Sequence, residues 1–148
     1  PQDARLGRVA KAAPGTEAAA RRLLALTEAG LTPVMSSVGI DDEGRLWNIN
    51  ADDVALAVAL LLKAPLIFLS DVRGVLNADK ALIRELTPHA AQKLIAEGII
   101  SGGMTVKVNA ALAAAAATKA PVAVASVFDE TLTPCLLSGK LPGTVFAV

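Results

Sequence analysis

Apolar positions along this chain fall into two kinds of run, one at helical spacing and one short and unbroken, and the two alternate. After Pro14-Gly15-Thr16-Glu17, the residues Ala20, Leu23, Leu24 and Leu26 recur at helical spacing, and Ala29-Gly30 closes the run as a C-terminal cap does. A first helix is predicted there. Thr32-Pro33-Val34-Met35-Ser36-Ser37-Val38 reads as a short buried strand with polar residues at its C-terminal end. Asp41-Asp42-Glu43-Gly44 is a turn, and the alternation in Arg45-Leu46-Trp47-Asn48-Ile49-Asn50 marks one arm of a small hairpin near residues 38–50. Residues 51–63 favour helix, with Asp52 and Asp53 at the end where acidic side chains complement the helix dipole.

Pro65-Leu66-Ile67-Phe68-Leu69-Ser70 is continuous and apolar, as strands of parallel sheets are, and it runs directly into a loop. Thr87-Pro88 supplies an N-cap with proline at the first position of a helix that Gly98 closes. Ile99-Ile100-Ser101-Gly102-Gly103 then leads into an alanine-rich helix over residues 104–118. A strand at 121–125, a helix at 130–137 and a strand at 143–148 complete the series. This order predicts an α/β fold, an open and mostly parallel sheet with helices on both faces. No break in composition marks a linker, so residues 1–148 are expected to form a single domain.

Composition narrows the function classes. Hydrophobic residues make up 53% of the chain but aromatic ones only 3%, so the core is built of Ala, Val, Leu and Ile. Lys plus Arg total 14 and Asp plus Glu total 14, which leaves no net charge to hold a nucleic acid through counterion release. The longest uncharged apolar run, residues 54–62, is far short of the ~20 residues of a membrane span. No basic-then-apolar leader opens the chain. The single cysteine, Cys135, excludes an internal disulfide and fits a reducing cytoplasm, where it serves as a small packed residue. The polar opening Pro1-Gln2-Asp3-Ala4-Arg5, without an initiating Met, predicts a fragment.

Ligands of an open parallel sheet sit beyond the carboxyl ends of its strands, which selects a short list of residues. It comprises Ser36 and Ser37, the stretch from Asn48 and Asn50 to Asp52, Ser70-Asp71 with Gly74, and Ser101-Gly102-Gly103 with Lys107. Asn48 and Asn50, two apart on an extended segment, aim their amides to one side and can bind one polar ligand together. The same spacing equally serves a hairpin end, with the Asn side chains satisfying turns and Asp52 capping the helix. Gly102-Gly103 before a helix exposes backbone N–H groups at a positive dipole end, an arrangement suited to phosphate, and Lys107 one turn on can neutralise phosphoryl oxygens. A flexible loop and a solvated lysine would look alike in sequence. His89 reads as a surface or capping residue, Trp47 as a shield for the hairpin or a platform for a ligand, and Cys135 has no histidine to make it a nucleophile. No metal-ligand cluster is evident.

Taken together, Ser36-Ser37-Val38-Gly39-Ile40, Asn48-Ile49-Asn50-Ala51-Asp52, Leu69-Ser70-Asp71-Val72-Arg73-Gly74-Val75-Leu76 and Gly103-Met104-Thr105-Val106-Lys107-Val108-Asn109-Ala110-Ala111 resemble the acetylglutamate kinases, in that order and at suitable spacing. The resemblance covers essentially the whole chain and implies the αβα sandwich of amino-acid kinases, here its C-terminal nucleotide-binding part. It implies that Asn48 and Asn50 border the acetylglutamate site, that Asp52 organises the catalytic lysines, and that Lys107 stabilises the transferring phosphoryl group. It further implies nucleotide contacts from Ser70, Asp71, Val72, Arg73, Gly74, Val75 and Leu76, and from Ile99, Ile100, Ser101, Gly102 and Gly103. The family's reaction uses ATP with Mg²⁺ to make an acyl phosphate in arginine biosynthesis, and a homodimer is an expectation for the intact protein. The family's N-terminal K-x-G-G segment, its H-G-G-G loop and its substrate arginine have no counterpart in these 148 residues; Leu6-Gly7-Arg8 lacks the paired glycines. Two alternatives stand beside this one: a non-catalytic nucleotide-binding module, and a kinase for a related acid such as acetylaminoadipate.

Overall fold

The structure, a computed structural model, describes residues 7–146. The opening pentapeptide, Leu6 and the last two residues of the strand expected at 143–148 lie outside the described residues. The chain divides into two compact units, Pro1–Leu62 and Lys63–Val148.

In the first unit, β1 (Val9–Ala10) pairs parallel with β3 (Leu46–Ile49), which pairs antiparallel with β2 (Val38–Ile40), in the order β1-β3-β2. Helix α1 (Glu17–Glu28) begins where the sequence predicts, because the Thr16 hydroxyl accepts the amide of Ala19 at 3.2 Å and Glu17 sits in the first turn. It ends in a Schellman motif, with Gly30 N donating to Thr27 O and Leu31 N to Leu26 O, each at 3.0 Å. Helix α2 (Ala51–Leu62) follows β3 directly.

The predicted hairpin is present, with Gly39 opposite Trp47. The strand expected over residues 32–38 is not. Residues 31–36 join no ladder, Val34 is 92% exposed, and pairing starts only at Val38. A run of apolar residues supplies faces for a strand, but a strand exists only where a neighbour pairs with it.

The second unit holds the larger sheet, ordered β4-β6-β7-β5 from β4 (Leu66–Ser70), β5 (Glu85–Leu86), β6 (Val122–Ser126) and β7 (Thr144–Phe146). β4 and β6 run parallel, as do β5 and β7, while β6 and β7 are antiparallel. The molecule therefore carries two open, mostly parallel sheets flanked by helices, where the sequence suggested one. The difference arises because β1, β2 and β3 close a ladder of their own.

Helices α3 (Pro88–Ala96), α4 (Gly102–Thr118) and α5 (Leu132–Leu137) complete this unit. Thr87 caps α3 by accepting from Ala90 N at 3.2 Å, with Pro88 at the first position as predicted. Every residue of β6 is buried, and α4 lies against it through Val108, Ala111, Ala114 and Ala115, one stripe at helical spacing. Small side chains let the helix approach the sheet closely. Phe146, Leu86, Val75, Ala91 and Ile100 fill the remaining core.

Candidate functional site

β4 delivers Ser70 at its carboxyl end, opposite Ser126 of the fully buried β6, and the Ser70 carbonyl accepts Val127 N at 2.9 Å. The loop then begins with Asp71. The Ser70 hydroxyl donates to Asp71 Oδ1 at 2.9 Å, Lys107 Nζ donates to Ser70 Oγ, and Nζ lies 3.5 Å from Asp71 Oδ1. Three residues on the predicted list, the adjacent Ser70 and Asp71 and Lys107, which is 37 positions after Ser70, thus form one cluster on the second unit. The side chains of Lys107 and Asp71 are 43% and 79% exposed, so their ion pair adds little stability and both groups stay open to a ligand. The Asp71 carboxyl is held below its ordinary value, first by the Ser70 hydroxyl, then by its own backbone amide and by the charge of Lys107.

Lys107 projects from the second turn of α4, a helix that begins at Gly102 rather than at the expected residue 104. Met104 N already donates to Ser101 O at 3.2 Å, so the two glycines form the first turn instead of a preceding loop. Ser101 is extended and its side chain caps nothing. The amides of Gly102 and Gly103 have no acceptor within the helix, and a methyl group added at either glycine would meet no atom within 4 Å. Open space, free amides and the positive end of a 17-residue helix meet at the two glycines, with a lysine one turn further along the same helix, and these are elements that suit a phosphate.

The loop after Asp71 is shaped from within. Val75 N donates to the Thr144 hydroxyl at 2.8 Å, and that hydroxyl donates to Ile83 O at 2.6 Å. Val75 O in turn accepts Ile83 N at 2.8 Å. Gly74 is φ +134°, and a Cβ there would come within 2.6 Å of Thr144 Oγ1. Val75 and Ile100 have buried side chains, so within the expected nucleotide-contacting set these two side chains are closed to solvent. Val72 is half-buried, while Arg73 and Leu76 are exposed. Arg73 and Arg84 both bear electrostatically on Asp129, whose carboxyl is lowered chiefly by the Thr131 hydroxyl. Ile99 N and Ile100 N both donate to Leu94 O. Thr144 was missed by sequence reasoning; its one sequence signal is a polar residue opening a buried strand.

On the first unit, Asn48 lies in the central strand, where its backbone N donates to Arg8 O at 2.7 Å. Asn50 leaves that strand and caps α2, its Oδ1 accepting Asp52 N at 2.8 Å and Asp53 N at 3.3 Å. The capping role read for Asp52 therefore belongs to Asn50, because the residue before the first helical turn alone can face its free amides. The Asn50 amide nitrogen and the exposed Asp52 carboxylate remain for other contacts. Ser36, with Met35, Trp47, Ile49 and Leu61, lines an open cavity of about 770 Å³ that Asn48, Asn50 and Asp52 do not touch.

Trp47 is half-buried, lines the same cavity as Ser36 and donates from Nε1 to Asp41 Oδ2 at 2.9 Å. His89 is exposed in the first turn of α3. Cys135 is half-buried and its thiol points to Lys140 O at 3.5 Å. Among the described residues, no group of three or more His, Cys, Asp or Glu side chains is placed to hold a metal ion. No helix of the described residues is long and apolar enough to cross a membrane.

Acetylglutamate kinases of Yersinia pestis and Yersinia pseudotuberculosis are 49% identical to this chain over 146 residues, 99% of it and 55% of their own length. The chain thus spans little more than half of these relatives. A crystal structure of smu.665 from Streptococcus mutans UA159 superposes with a TM-score of 0.61 at 31% identity, covering 86% of this chain and 47% of that one. N-acetylglutamate synthase from Neisseria gonorrhoeae, solved with coenzyme A and N-acetyl-glutamate, superposes with a TM-score of 0.71 over 87% of this chain and 30% of that one; at 23% identity it speaks for the fold alone. The amino acid kinase family pattern matches residues 2–126. Because that pattern runs from the first unit through β4, the Ser70 loop and α4 to the end of β6, the chain belongs to the amino acid kinase family.

Proposed function

We propose that this chain is the nucleotide-binding part of an enzyme that moves the γ-phosphoryl group of ATP onto the side-chain carboxylate of N-acetylglutamate. The observation that carries the reading is the cluster of Lys107, Ser70 and Asp71 on the same unit as the open amide end of α4. The amides of Gly102 and Gly103 hold a terminal phosphate, and the Lys107 ammonium offsets the charge that spreads over its oxygens during transfer. A carboxylate acceptor is nucleophilic once ionised, so no general base is required of the chain. To Asn48 and the Asn50 amide nitrogen we assign contacts to the acid, and to Asp52 the ordering of cationic side chains.

Magnesium fits the donor set as a companion of the nucleotide. The ion takes phosphate oxygens and water with one or two carboxylates, and Asp71, ionised and exposed, supplies one. Its chemistry there would be neutralisation of phosphate charge. The cytoplasm is the compartment we assign to such an enzyme.

The test uses full-length protein with ATP, N-acetylglutamate and hydroxylamine, which traps an acyl phosphate as a hydroxamate. Lys107→Ala is expected to lower kcat by about 10²–10³, the loss typical of one donor to a transition-state charge. Unchanged turnover in that variant would remove Lys107 from the chemistry, and a preference for acetylaminoadipate would change the substrate.

A further inference from the structure

We propose that Ser70 is a positioning residue, whose hydroxyl aims the Lys107 ammonium and ties it to Asp71 rather than contacting the nucleotide itself. The inference rests on the phosphoryl-transfer reading above and gives Ser70 a different part from the rest of its loop.

A serine hydroxyl has one proton and two lone pairs. At Ser70 the proton goes to Asp71 Oδ1 at 2.9 Å, which leaves the lone pairs for Lys107 Nζ. The polarity is consistent from end to end: ammonium donates to hydroxyl, hydroxyl donates to carboxylate. Neither a nucleotide phosphate nor a ribose hydroxyl can receive the Ser70 proton while this bridge stands.

Both ends of the bridge are mounted on rigid backbone. Ser70 sits in register with Ser126 of β6 and its carbonyl is taken by Val127 N, so the hydroxyl starts from a fixed strand end. Lys107 precedes Val108, which is wholly buried on the α4 face that meets β6. Between these anchors the lysine stem is flexible and its head exposed. Direct attraction to Asp71 acts across 3.5 Å between two solvated groups and fixes no direction. A hydrogen bond to a strand-end hydroxyl does, and a small misplacement of a charge-stabilising group is enough to slow a reaction without weakening substrate binding.

The experiment compares Ser70→Ala and Ser70→Thr with the wild type in full-length protein, reading kcat and the ATP KM by the hydroxamate assay. In parallel, exchange of the Lys107 ammonium protons with water is followed by nitrogen-15 NMR. The Ala variant is expected to lose about tenfold in kcat while the ATP KM stays within about twofold, and Thr, which keeps the hydroxyl, restores the rate. Exchange of the Lys107 ammonium protons quickens in the Ala variant, which lacks the acceptor, and slows again in the Thr variant. Wild-type kcat in Ser70→Ala overturns the proposal. So does a raised ATP KM at constant kcat, which would make Ser70 a nucleotide contact. If the wild type itself forms no acyl phosphate, the functional reading fails, while Lys107 proton exchange unmoved by Ser70→Ala still overturns the bridge on its own.

Discussion

Two adjacent residues near the chain's end, Gly143 and Thr144, hold the second unit together in ways that separate backbone from side-chain effects. Gly143 has φ +68°, and a Cβ there would lie 2.0 Å from Val124 O and 2.8 Å from Ala125 Cα, both backbone atoms of the buried strand β6. Gly139 has nearly the same φ, +74°, but open space around it. Gly139→Ala is therefore expected to cost about 1–2 kcal/mol, the ordinary penalty of a left-handed Cβ. Gly143→Ala should exceed 4 kcal/mol or so, because β6 and β7 must part to admit it. Urea titration of the two variants decides, and equal losses would refute the steric account. Thr144→Val keeps the shape but leaves Val75 N and Ile83 O without their partner, at about 1–3 kcal/mol by the same measurement. None of this was legible beforehand. The Gly-Thr pair reads as the opening of a strand, and the partners lie 69 and 61 residues away.

The β2–β3 hairpin shows the opposite balance, with most of its design readable and one ionisable group controlling it. Alternation over residues 45–50 and the turn at 41–44 announced it, since both signals are local. What they did not disclose is that Asp41 ties the hairpin together. Its Oδ1 accepts Glu43 N at 3.0 Å and Arg45 N at 2.9 Å, and its Oδ2 accepts Arg45 Nε at 2.8 Å and Trp47 Nε1. The Trp47 bond first, and the Arg45 bonds next, lower the carboxyl from 3.8 to about 2. Because the folded value is depressed, the stabilising contribution is complete above pH 3.8 and disappears as pH falls through about 2. Trp47 is the chain's only tryptophan, so its fluorescence should titrate with a midpoint near 2. Asp41→Asn should abolish that step, and a midpoint near 3.8 in the wild type would contradict it. By contrast β1 and β5, two residues each, are too short to leave any periodicity in sequence, and the run at 32–38 has the composition of a strand but pairs only at its last residue.

For the molecule as a whole, the boundary between Leu62 and Lys63 is marked by no change of composition, and the sign of it in sequence is weak: a helix end followed by Lys63, at φ 51°. The candidate phosphate cluster was more legible than the boundary, because strand ends and helix starts select Ser70, Asp71, Gly102 and Lys107 wherever the sheet is parallel. Burial differs sharply between the units. Among the described residues of the first, only Ala59 is a fully buried apolar residue, while Leu31, Val34, Met35, Ile40 and Leu46 are exposed. The second owns β6, the buried stripe of α4, Phe146, Leu86 and Val75. Apolar burial is the main favourable term in folding, at about 25 cal/mol per Å², so the two units are expected to differ in stability. The spectroscopic probes happen to be divided in the same way. Trp47 lies in the first unit, whereas backbone circular dichroism sums over both. In urea the tryptophan transition of this 148-residue chain should come first, with the circular dichroism signal retaining a second, later step carried by β4, β6, β7 and α4. Coincident transitions by the two probes are the mark of a single cooperative unit and would show that the buried sheet of the second unit holds no stability of its own.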